Sequence, residues 1–175
     1  MISYQVQSEK GFTGKVGELV WMLEHTRAIT IQEVADLSTE ELDWSMEGGN
    51  SIGALLSHIA AVEYVHQLIS FEQRDMDESE RKEWGAALEL GEKAKQHVHG
   101  ISIDDLLDVL EATRDQTLDY LKGKNDDWLY KADVWSNGVT FNHYYLWFHV
   151  LEDEINHRGQ IRALIRSMKE KKVSS

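Results

Sequence analysis

Not one of the 175 residues is proline, and that absence constrains the fold more than any motif in the chain. Proline ends helices and punctuates loops, so a chain of this length without it suits long helices joined by few turns. Four stretches carry the matching pattern, with apolar residues recurring every three or four positions, over about residues 14–37, 51–70, 103–122 and 142–170. In the first, the stripe is Val16, Leu19, Val20, Leu23, Thr30, Val34 and Leu37; in the second, Ile52, Leu55, Leu56, Ile59, Val62, Val65 and Ile69. The third carries Leu106, Leu107, Leu110, Thr113, Thr117, Leu118 and Leu121. At 100° per residue the fourth turns Trp147, Val150, Ile155, Ile161, Leu164, Ile165 and Met168 to one side.

The segments between these helices are also informative. Ser38-Thr39-Glu40-Glu41 has the form of a cap on one further short turn, and Trp44 reads as a lid over one end of a bundle. Asn50 or Ser51 caps the second helix, and Ser102 with Asp105 opens the third. Residues 71–101 begin as a charge run from Phe71 to Lys82, continue as an amphipathic piece around Trp84–Leu90, and break at Gly91 and Gly100. That is too long for a tight helix–helix turn, but it suits an overhand crossover that leaves the second and third helices parallel. Asn137-Gly138 between apolar flanks predicts a small β-hairpin before the last helix. The expected fold is an all-α four-helix bundle in one domain over residues 1–175, with a long crossover and a hairpin.

Apolar residues make up 42% of the chain and charged ones 28%, ordinary values for a soluble globular protein. No run of 18 apolar residues and no leader pattern occurs, so neither a membrane span nor a signal peptide is expected, and a cytoplasmic location follows. A net charge of −13 argues against nucleic acid or anionic membrane as a partner, since both demand a basic surface. With no cysteine, any metal must be held by histidine and carboxylate, and no thiol nucleophile exists.

The last helix spends unusual polar chemistry near its apolar side. Asp153 and His157 stand one turn apart on a border of the apolar arc, the spacing that lets two ligands reach one ion from one helix. Glu154 falls inside that arc. On the second helix His58 lies at the edge of the stripe, with Glu63 and His66 within it. Polar groups facing a bundle core must be paired, metal-bound or wet, because burying them bare costs a few kcal/mol each, roughly. Joined with Asp153 and His157, His58 would complete a set of two imidazoles and a carboxylate from two helices. Such a set suits one divalent ion (Zn²⁺, Ni²⁺, Fe²⁺ or Mn²⁺) with open positions left over.

Three phrases of the chain, Leu37-Ser38-Thr39-Glu40-Glu41-Leu42-Asp43-Trp44, Gly49 to Ile59 with His58 near its end, and His157-Arg158-Gly159-Gln160-Ile161, resemble the DinB (damage-inducible) superfamily over about residues 14–168. The resemblance implies a bundle with up-down-down-up connectivity, often homodimeric, and a metal held by one ligand from the second helix and two from the fourth. On this sequence those positions are His58, Asp153 and His157, with Asp153 standing where the family commonly has histidine. His149, one turn before Asp153, is a further candidate ligand or supporting residue. The resemblance also implies metal-dependent chemistry on a small molecule, of hydrolase or thiol S-transferase type, with a low-molecular-weight thiol as a co-substrate in the second case. Glu154 or Glu63 would then serve as proton acceptor. Arg158 is expected to pair with a carboxylate and Gly159 to allow close helix approach, and the tryptophan-rich surface with the family habit suggests a homodimer.

Two other readings compete. A ferritin-like di-iron bundle would use Glu63-x-x-His66 and Glu154-x-x-His157, with Glu18 or Glu24 and Glu111 from the other helices. A non-catalytic interaction module would simply pair its buried polar groups with one another and carry no metal.

Overall fold

The computed structural model describes residues 4–174. Four long helices form the bundle: α1 (Gly14–Val34), α3 (Ile52–Gln67), α6 (Ile103–Lys122) and α8 (His143–Ser174). Between them lie α2 (Thr39–Asp43), α4 (Glu78–Glu89), α5 (Gly91–His97), α7 (Asp126–Leu129) and an antiparallel hairpin, β1 (Ala132–Val134) with β2 (Thr140–Asn142). Inter-helix contacts fix the directions. Gly53 approaches Leu106 while Gln67 donates to Thr117, so α3 and α6 run parallel. His58 faces His157 while Ser70 meets Trp147, so α3 and α8 run antiparallel. Arg27 reaches Glu154 and Glu33 reaches Arg162, so α1 and α8 run parallel. This is the up-down-down-up arrangement, with the crossover carried by α4 and α5.

Local chemistry explains the helix starts. Ser38 accepts from Glu41 N while the Glu41 carboxylate accepts from Ser38 N, and Asp77 with Glu80 repeats that reciprocal cap at α4. Ser51, Ser102 and Asn125 each accept a backbone N–H at the start of their helices. At its far end α3 runs on into one π-helical turn, Leu68–Glu72, closed by Gln73 in the left-handed conformation (φ 56°). The hairpin turn centres on Ser136 and Asn137: Gly138 N donates to Trp135 O, and Gly138 takes φ 83°, which a side chain would resist.

The apolar core comes in two blocks. One gathers Val34, Leu42, Ile52, Leu56, Leu110, Ile161 and Leu164, with Trp44 packed against its end as a lid. The other gathers Val16, Leu19, Leu23, Leu121, Trp147 and Val150. Between them the four long helices contribute buried polar side chains instead: Arg27, Glu63, Gln67, Arg114, Thr117 and Glu154. The segment Ile52–Glu72 is long and apolar enough to cross a membrane by composition, but 78% of that window is buried inside the bundle, where it forms the central helix. Ile155, placed on the inner side by the helical wheel, is 50% exposed at the margin of the stripe.

Candidate metal centre

At the level of the polar layer, α3 and α8 bring His58, Asp153 and His157 together, with one ligand atom of each within 4.8 Å of the others. His58 Nε2 lies 3.7 Å and His157 Nε2 3.4 Å from Asp153 Oδ1. Charge-assisted hydrogen bonds between such groups run at about 2.7–2.9 Å, so these separations are too wide for good ones. They match the roughly 3.3 Å that separates two ligands around a tetrahedral ion bonded at about 2.0–2.1 Å. The two imidazoles stand edge to face, centroids 4.7 Å apart and planes at 77°. His58 Nδ1 donates to the Ala87 carbonyl of α4 at 2.9 Å, which fixes the ring and presents Nε2 inward. Asp153 Oδ2 and His157 Nδ1 are buried with no hydrogen-bond partner among the described residues. Buried polar atoms without partners beside two convergent imidazoles are groups a cation would satisfy, and the donor set fits a divalent ion.

The electrostatics agree with that fit. Burial pushes the Asp153 carboxyl up, but His157 and His58 outweigh it and hold the group well below the usual carboxylate range. Burial pushes His58 down, and the Asp153 carboxylate with the Ala87 carbonyl reverses this to a net rise. Asp153 is therefore held as a carboxylate beside the two rings, the form in which it can ligate a cation.

Glu63 and Glu154 have a different task from the one expected of them. Arg27 Nη2 donates to Glu63 Oε2 at 2.8 Å, its Nε to Glu154 at 3.2 Å and 3.3 Å, and its Nη1 to the Leu110 carbonyl at 2.8 Å. Arg114 Nε and Nη2 donate to the two Glu63 oxygens at 2.7 Å and 3.0 Å, Arg114 Nη1 donates to Glu24 at 3.0 Å, and Thr117 donates to Glu63 at 2.7 Å. Burial alone would raise the Glu63 carboxyl, yet Arg114 and Arg27 pull it down to about 2. A fully buried carboxylate so paired is a poor proton acceptor, and Glu154, 1% exposed, has its oxygens turned to Arg27. The same pairing leaves neither glutamate free to ligate an ion, which overturns the ferritin-like reading. Arg27 and Arg114 were not singled out from the sequence. The signal was present: each sits inside an apolar stripe, Arg27 between Leu23 and Thr30, Arg114 between Leu110 and Thr117.

Two smaller expectations change as well. Arg158 Nη1 donates to the Thr26 carbonyl at 3.0 Å rather than to a carboxylate. A Cβ placed on Gly159 would meet nothing within 4 Å, so close helix approach is not its role. His66 is buried, and its Nδ1 donates to the Val62 carbonyl at 2.7 Å. Its ring centre is 5.6 Å from that of His149, whose Nδ1 is 3.3 Å from the Glu152 carboxylate. Beside the centre a cavity of about 790 Å³ runs over α8, mostly apolar, with Trp21, Met22, Phe148 and Ile155 in its lining along with His149 and Asp153.

A comparison with curated proteins finds no match. Among solved structures, the chain is similar to a crystal structure of a conserved protein of locus from Enterococcus faecalis, at 18% identity and a TM-score of 0.66. That likeness covers 85% of this chain and 93% of the other, and it concerns the fold. The sequence model of the DinB superfamily matches residues 22–161, a span that enters in α1 and takes in His58, the crossover, the hairpin, Asp153 and His157. With that match spanning most of the chain, the chain belongs to the DinB superfamily.

Proposed function

We propose that this protein is a metal-dependent enzyme acting on a small molecule, with one divalent ion held by His58, Asp153 and His157. The observation that carries the reading is the pair of 3.4 Å and 3.7 Å separations beside a buried Asp153 oxygen that has no partner among the described residues. The chemistry such an ion supplies is Lewis acidity, which makes a water or a low-molecular-weight thiol nucleophilic near neutral pH. The chain's own residues do the positioning. Ala87 O holds the His58 ring, and Arg27 grips Glu154, the neighbour of Asp153, so that α8 cannot rotate the acid and His157 away from α3. The apolar cavity over α8 supports a substrate with an apolar body, because Trp21, Met22 and Phe148 give it surface to bury while Asp153 stands in the same lining.

Calorimetric titration of tag-free protein with Zn²⁺ tests the centre directly. His157→Ala is expected to lower affinity by more than the roughly 10–100-fold typical of changes around a metal ligand, while circular dichroism stays helical. Loaded protein is then assayed on small esters, and on electrophiles supplied with a low-molecular-weight thiol. Turnover that survives both a chelator and His157→Ala would rule the metal-dependent reading out.

A further inference from the structure

The crossover does more than carry the chain from α3 to α6, because its break at Leu90 decides which nitrogen of His58 is free. The last carbonyls of a helix have no donor within it, and a buried one must find a partner elsewhere. In α4 the Leu90 N–H still closes onto Ala86 O at 3.3 Å. Leu90 then takes φ 55° and ψ −158°, a conformation leucine rarely adopts, and the chain leaves the helix. Gly91 N–H, which in a continued helix would point at Ala87 O, donates instead to Asn50 Oδ1 at 2.8 Å. That frees the carbonyl of the buried Ala87, and His58 Nδ1 donates to it at 2.9 Å. A carbonyl can only accept, so Nδ1 carries the proton and Nε2 keeps the ring's lone pair.

Contacts on both sides hold this break in register with α3. The Leu90 side chain packs in the cluster built on Ala54, Ala94 and Val98, and Ala54 is one turn before His58 on α3. Asn50 stands just before the Ser51 cap of the same helix, so its bond to Gly91 ties the start of α3 to the end of α4. Further along, Tyr64 stacks on Trp84 of α4, centroids 4.8 Å apart and planes at 16°, and its hydroxyl donates to Glu80 at 2.6 Å. We propose that Asn50, acting through the Gly91 amide, is a positioning residue for the metal centre: it keeps the Ala87 carbonyl open to His58 and so presents Nε2 toward Asp153 and His157. Without that acceptor the Gly91 N–H can return to Ala87 O, and the His58 ring is free to take its other tautomer. The inference rests on the single-ion centre of the proposed function and extends it to a residue that acts on one ligand through the backbone.

The test uses tag-free full-length protein, with circular dichroism on every variant. The His58 ring nitrogens are read by long-range ¹H–¹⁵N correlation on metal-free protein, at a pH alkaline enough to keep imidazole neutral. Zn²⁺ affinity is read by calorimetry. Wild type is expected to show one His58 tautomer, with the proton on Nδ1. Asn50→Ala is expected to mix the tautomers and to lower Zn²⁺ affinity roughly 10–100-fold, the range for losing a partner behind a metal-binding histidine. Asn50→Asp keeps an acceptor for Gly91 and is expected to restore both. If Asn50→Ala fails to fold, Asn50→Ser, whose hydroxyl is set back from the Oδ1 position, takes its place. Mixed tautomers in wild type, or tautomer and affinity both unchanged in Asn50→Ala, would overturn the inference. A fall in affinity with the tautomer unchanged would do the same, as would a loss that Asn50→Asp does not restore, since either is what general loosening produces. The spectra need no metal, so a wild type that binds no Zn²⁺ would remove the proposed function while the His58 tautomer still decided the role of Asn50.

Discussion

Arg27 and Glu63 dominate the molecule at the scale of single residues. Glu63, with no exposure, accepts from two guanidiniums and a hydroxyl. Buried ion pairs of this kind add little net stability when complete, yet breaking one strands a charge in a dry interior. Glu63→Gln is therefore expected to destabilise the fold by roughly 3–5 kcal/mol, seen as a lower denaturant midpoint. The pH dependence has a definite sign. The carboxyl is depressed from 4.5 to about 2 on folding, so its stabilisation is complete above about 4.5 and is lost as pH falls toward 2. Acid unfolding followed by circular dichroism should show that loss in wild type and a flatter profile in Glu63→Gln. The candidate metal cluster was legible in the sequence because His58, Asp153 and His157 sit where a stripe of apolar residues gives way to polar ones. The arginines were not, since a long cationic side chain within a stripe ordinarily buries its stem and sends its head to water. Only the facing glutamates on other helices keep these two heads inside, and a single sequence does not say which helices face each other.

Among the elements, the four long helices were readable because their apolar period persists over many turns. Ends were readable where a side chain does the capping. Ser51 is a buried cap on α3, the helix that carries His58, and accepts from Ala54 N at 3.2 Å. Ser51→Ala should cost about 1 kcal/mol in thermal or urea unfolding, with His58, Asp153 and His157 left in place. The crossover was read as one short amphipathic piece, whereas it forms two helices, α4 and α5, joined through Leu90 in a positive-φ conformation (φ 55°). Short charged helices depend on caps and on the surface beneath them, so periodicity says little about them. The π-helical turn at Leu68–Glu72 was hidden for a similar reason: its sequence is as apolar as the helix it extends. It places Ser70 so that its hydroxyl donates to His66 O at 2.6 Å and accepts from Trp147 Nε1 at 3.2 Å, tying the end of α3 to α8. The short α7, with its Asn125 cap, passed unread because four residues carry no period.

For the whole molecule, the polar layer between the two apolar blocks holds the bundle in one register. Hydrophobic packing alone tolerates sliding of one helix past another, whereas guanidinium–carboxylate forks admit a single alignment. Arg27 of α1 touches α3 through Glu63, α6 through Leu110 O and α8 through Glu154, so one side chain joins all four long helices. A chain ending at residue 142, before α8, is expected to give weak near-ultraviolet dichroism and rapid proteolysis, since it lacks Glu154 and one wall of each apolar block. There is a consequence for how the protein is made. Arg27 and Glu154 are 127 positions apart, so during translation the guanidinium emerges long before its last counter-ion. The polar layer therefore cannot close around Arg27 until α8 has left the ribosome.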